Sequence, residues 1–88
     1  MKNAKVEKLT AQFKTAFNEK LKELGNKKGN VSIEIKLINE NSLPVAKEIE
    51  LLEANLLNFL RKESWDITDL KVNIELSMFI MIRFQVSV

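Results

Sequence analysis

Apolar residues occupy every even-numbered position from Leu70 to Val88: Leu70, Val72, Ile74, Leu76, Met78, Ile80, Ile82, Phe84, Val86 and Val88. Side chains alternate between the two faces of a strand, so this period of two predicts extended backbone. At about 3.3 Å per residue the segment would span about 60 Å. A compact chain of this length is roughly 30 Å across. One straight strand therefore overruns its own domain, and must either bend back or be covered by a second chain. A two-residue hairpin would invert the parity beyond its turn, and the parity is kept. A three-residue loop at Ser77-Met78-Phe79 would keep it by pairing Leu76 with Ile80, but such loops generally want glycine in a left-handed conformation. The pattern favours one long strand, with a bend or a split into a hairpin near Ser77 as the alternative. At Phe79 and Met81 the otherwise polar odd face also turns apolar. Residues 78–82 thus read as buried on both faces, between two layers or across a dimer axis.

Upstream, the period changes to that of a helix. Val6, Leu9, Phe13, Ala16, Phe17, Leu21 and Leu24 recur at spacings of three and four, which predicts an amphipathic helix from about residue 4 to Leu24. Gly25 stands where a left-handed residue ends such a helix, and a turn-forming Asn26–Asn30 stretch follows. Val31, Ile33, Ile35 and Leu37 alternate with Ser32, Glu34 and Lys36, a strand covered on one face. Ser42 is the expected N-cap of a second helix, with Pro44 in its first turn. Its stripe is Val45, Ile49, Leu52, Leu56, Phe59 and Leu60, widened by Ala46 and Leu57, and it ends near Glu63. Leu51 lies off that stripe. The 64–69 stretch, containing Trp65, connects to the long alternation.

The order α-β-α-β predicts a single α/β domain over residues 1–88, with α+β as the alternative. A βαβ unit with parallel strands is the natural arrangement, both helices lying on one sheet face. Two strands make a poor sheet with open edges, so completion by a second subunit is expected.

Composition narrows the chemistry. The 88 residues include neither His nor Cys, which removes the commonest acid–base group, the thiol nucleophile and thiolate metal sites. No stretch has the form of a secretory signal or the roughly 20 apolar residues of a membrane span, so a cytoplasmic location is expected. The carboxylate pairs Glu50/Glu53 and Asp66/Asp69 suit a solvated helix face and turn capping better than catalysis. Glu40, Glu48, Glu50 and Glu53 lack EF-hand spacing. No enzyme activity, metal, cofactor, small-molecule substrate or membrane partner is expected.

Two binding readings remain. Forty-five per cent of the residues are hydrophobic, more than one small core requires. This points to a homodimer or larger assembly through the C-terminal strand, acting as a scaffold or as an inhibitor of a larger partner, such as a virus or mobile element encodes. Its expected interface is Leu51, Trp65, Leu76, Met78, Phe79, Ile80, Met81, Ile82 and Phe84. For Trp65 the favoured reading is closure of the core at the sheet edge, with an exposed anchor for a partner as the other. The second reading follows from charge: residues 1–30 carry eight lysines against three glutamates, whereas residues 31–88 are net acidic. Lys2, Lys5, Lys8, Lys14, Lys22, Lys27 and Lys28 would then contact nucleic-acid phosphates. Against it, the lysines spread around the first helix, arginine is scarce, and the phenylalanines lie on the core stripe.

Overall fold

A computed structural model describes residues 3–25, 29–39, 44–75 and 79–87, with Glu75 by its backbone only. Two helices, α1 (Ala4–Leu24) and α2 (Ala46–Lys62), accompany three strands, β1 (Asn30–Ile38), β2 (Asp66–Glu75) and β3 (Phe79–Ser87). The sheet order is β1-β3-β2, with both ladders antiparallel. The domain is a small mixed α/β fold, with a longest extent of 38 Å.

Helix α1 begins where Asn3 accepts the Val6 N–H on its side-chain oxygen at 3.1 Å, satisfying one orphan donor of the first turn. It ends at Gly25, whose φ of 56° is one that glycine adopts without strain. Its expected stripe is the observed one: Val6, Leu9, Phe13 and Phe17 are buried, and Ala16, Leu21 and Leu24 are partly so. Helix α2 buries Leu52, Leu56 and Leu60. It starts one residue after Val45, which is 60% exposed and not part of the core stripe. The N-cap is thus Val45, not Ser42, which lies outside the described residues. Having no polar side chain at the cap, this helix relies on Glu48, which accepts the Val45 N–H at 3.0 Å.

The long alternation is two strands, which corrects the expectation of one. Ile74 pairs with Ile80 and Glu75 with Phe79, so the connection 76–78 holds an odd number of residues and even positions stay in phase across it. That is why a hairpin reads as one uninterrupted strand. A straight strand of about 60 Å would exceed the molecule's length. Folding back gives β3 two ladder partners, at the small closure cost of a short loop. Leu76, Ser77, Met78 and Val88 lie outside the described residues.

A second correction concerns strand direction. β1 and β2 run the same way, as a βαβ unit requires, but they do not pair. β3 lies between them, antiparallel to both. The helices also run parallel: Asn3 bonds Glu48, Asn55 bonds Thr10, and Phe17 packs on Trp65. α1 packs on β1 and α2 on β2.

β2 carries a bulge. Thr68 pairs with Gln85 and Lys71 with Arg83, so Asp69 and Leu70 together oppose Phe84. Asp69 has φ 54°, a conformation its short side chain tolerates better than most. The extra residue switches the inward phase from odd to even. Ile67 packs on the core before the bulge, and Leu70 and Val72 pack on it afterwards.

The core lies between the helices and one sheet face. Phe13 and Phe17 stack at 5.9 Å, each about 6 Å from the Phe84 ring. Trp65 meets Phe17 edge-on, with ring centres 5.9 Å apart. Its ring packs against the core, in keeping with the core-closing reading of this residue.

Candidate interaction surface

Ile80, Ile82, Phe84 and Val86 point toward the helices and are at most 2% exposed. Three residues expected at an interface, Ile80, Ile82 and Phe84, are therefore spent on the chain's own core. Among the described residues, no helix covers the opposite face. Alternation places on it Phe79, Met81, Arg83, Gln85 and Ser87 of β3, and Ser32, Glu34, Lys36 and Ile38 of β1.

The apolar members of this open face cluster at one end. Phe79 pairs with Ile38, and Met81 with Lys36 on one side and Asn73 on the other. Ile38 is 49% exposed. Met81 is only 7% exposed, yet it stands outside the helix-facing core cluster, flanked by its cross-strand neighbours. The Lys36 ammonium lies 3.8 Å from the centre of the Phe79 ring, a favourable cation–π placement. At the other end the face is polar. The Arg83 Nε donates to Glu34 Oε2 at 2.8 Å, and a shallow pocket of about 360 Å³ is lined by Glu34, Asp69, Lys71 and Arg83 among others.

Ile38 and Lys36 escaped the sequence-based list of interface residues. The signal was present: Ile38 is an apolar residue on the otherwise polar even face of β1, next to Leu37. It becomes informative once β1 is known to pair with β3, because register places Ile38 beside Phe79.

The other expected interface residues are dispersed. Leu51 is 38% exposed on α2, away from the open sheet face. Trp65 is half-buried against the core. Leu76 and Met78 fall outside the described residues.

The basic residues do not converge either. Lys5 pairs with Glu48 at 3.4 Å. Lys14 lies 5.4 Å from the centre of the Phe59 ring, on the α2 side of α1. Lys8 lines a groove beside β1, and Lys22 is exposed in the last turn. Lys2, Lys27 and Lys28 fall outside the described residues.

Glu48 joins the starts of the two helices. It accepts from Asn3 Nδ2 at 2.9 Å and from the Val45 N–H, beside Lys5. The Val45 N–H foremost, then the Asn3 amide and the Lys5 charge, hold its carboxyl below the ordinary value of 4.5, against the opposing effect of partial burial. A carboxylate at two parallel helix N-termini also meets two favourable dipoles.

Glu50 and Asp66 are exposed, and Glu53 is half-buried on α2. Among the described residues no group of three or more acidic side chains is placed to hold a metal ion. No helix of the described residues is long and apolar enough to cross a membrane. No protein-family model, curated protein or solved structure matches this chain.

Proposed function

We propose that the chain is a non-enzymatic protein-interaction module that associates with a second copy of itself through the open face of its sheet. The observation that supports this is the one-sided covering of the sheet. Two helices bury the even face of β3, while Phe79, Met81 and Ile38 gather on the other face. A two-fold axis passing near Met81 sets this apolar end against itself, the arrangement of an isologous interface. Glu34, Lys36 and Arg83 then form a rim carrying both signs of charge, where opposite charges from two copies can meet. Paired in this way, the module serves as a scaffold, or presents its outer surfaces to a larger partner that it inhibits.

Sedimentation velocity across a concentration series tests the reading. The expected result is a concentration-dependent dimer, with Phe79→Asp giving a folded monomer. A wild-type chain that stays monomeric at high micromolar concentration would sink it.

A further inference from the structure

The two outer edges of the sheet differ. The edge of β2 is interrupted by the bulge at Asp69 and Leu70, a device that turns an edge away from pairing. β1 pairs with β3 along its whole length with no register shift. Ile38 donates its N–H to Gln12 Oε1 at 3.1 Å, and its carbonyl accepts from Gln12 Nε2 at 3.0 Å. Both main-chain groups of Ile38 therefore point away from β3. Main-chain direction alternates along an antiparallel ladder, so Ser32, Glu34 and Lys36 also turn their N–H and C=O outward. The Gln12 amide imitates one rung of a fourth strand and closes the edge at Ile38. From Lys36 back to Ser32 the edge is regular.

Beside this edge runs a groove of about 500 Å³ between α1 and β1. Ala11, Thr15 and Ala16 line it with short side chains, leaving room for side chains arriving from the edge. Lys8 also lines it, and α1 belongs to the lysine-rich third of the chain; Lys36 borders the groove but holds its ammonium over Phe79 on the open face. The nearest acid on β1, Glu34, is engaged by Arg83. We propose that the β1 edge accepts an extended acidic polypeptide segment as a fourth strand. Its main chain pairs with Ser32, Glu34 and Lys36, and its carboxylates, all on the helix-side face of the added strand, face Lys8 across the groove. Strand addition of this kind draws affinity from the main chain and selectivity from alternate side chains. A second copy is the poorer occupant, because it would bring two lysine-rich α1 helices side by side. The proposal stands on the edge and is separate from association through the open face.

The test is titration of the isotope-labelled full chain with an octapeptide of alternating valine and aspartate, followed by amide NMR. The amides of Ser32, Glu34 and Lys36 are expected to move and to gain protection from exchange. Methylating alternate peptide nitrogens, which removes rung donors, should weaken binding about tenfold. Ser32→Pro, which removes one outward N–H without touching the β3 ladder, should weaken it by a similar factor. If that variant does not fold, the methylated peptide on the wild-type chain still decides the matter. Met81→Lys should leave peptide binding unchanged, which separates this edge from the sheet face. No movement at those three amides would overturn the proposal. So would equal binding of a valine–lysine peptide, or stronger binding of an oligothymidylate at the same edge.

Discussion

The two faces of β3 differ by one residue in sequence and by a layer of structure in space. Ile80, Ile82, Phe84 and Val86 meet the helices, and Phe84 lies within about 6 Å of both Phe13 and Phe17. Phe79 and Met81, their immediate neighbours, look the other way, and Phe79 lies beneath a lysine. Hydrophobicity alone does not separate the two sets. What separates them is which face the helices reach. An apolar residue on the covered face contributes to folding. On the open face Ile38 and Phe79 keep accessible surface, whereas Met81, 7% exposed, is largely covered by its cross-strand neighbours.

The same substitution on the two faces gives the largest contrast. Ile82→Lys buries an unpaired ammonium in the core and is expected to leave the chain unfolded, since such burial costs several kcal/mol in a marginally stable domain. Met81→Lys is expected to keep the fold at a loss of about 1 kcal/mol, because the lysine stem can lie along the sheet while its charge reaches water. Circular dichroism with urea titration distinguishes the two. If both variants unfold, Met81 belongs to a core of its own and the contrast fails.

Aromatic truncation separates the two faces at smaller amplitude. Phe84→Ala removes a ring from the central cluster and should cost about 3–5 kcal/mol. Phe79→Ala gives up the cation–π contact and part of a half-buried surface, about 1 kcal/mol. Arg83→Ala, at the polar end of the open face, breaks an exposed pair with Glu34 and should change stability by about 0.5 kcal/mol or less. A loss of 2 kcal/mol there would mean that the polar end is far less exposed than its geometry implies.

The pH dependence follows from Glu48, whose folded pKa lies below the ordinary value of 4.5. The stability it contributes is fully present above the unfolded value and is lost as pH falls through the lower folded value. Glu48→Gln should therefore flatten the acid limb of the stability curve below pH 4.5 and leave the neutral region nearly parallel to wild type. An unchanged acid limb would show that the shared helix N-terminus does not depend on this charge.

Helix α1 was readable from sequence, from about residue 4 to Leu24, because its stripe and its stop at Gly25 are local; its cap at Asn3 is equally local but was not among the expected features. β1 was readable for the same reason. The hairpin was not. A connection with an odd number of residues preserves the period of two, and no local signal separates a long strand from two strands joined in phase. The bulge left a fainter mark: Ile67 and Leu70 are both apolar at a spacing of three, with Asp69 between them, which is what a phase switch requires. The candidate surface was half legible. Phe79 and Met81 stood out as apolar residues on the wrong parity, but their partner Ile38 depends on a register between segments about forty residues apart in sequence. Gln12 carried no sequence signal at all, since its role exists only where α1 passes the end of β1.

If two copies meet through the open face, Phe79 and Met81 touch the other copy and Ile82 does not. Isotope-filtered NOE measurements on a mixture of labelled and unlabelled chains address it directly. The expected result is intermolecular contacts at the Met81 methyl and the Phe79 ring, with none at Ile82. Intermolecular contacts confined to other surfaces, or none at a concentration where the chain is dimeric, would contradict it.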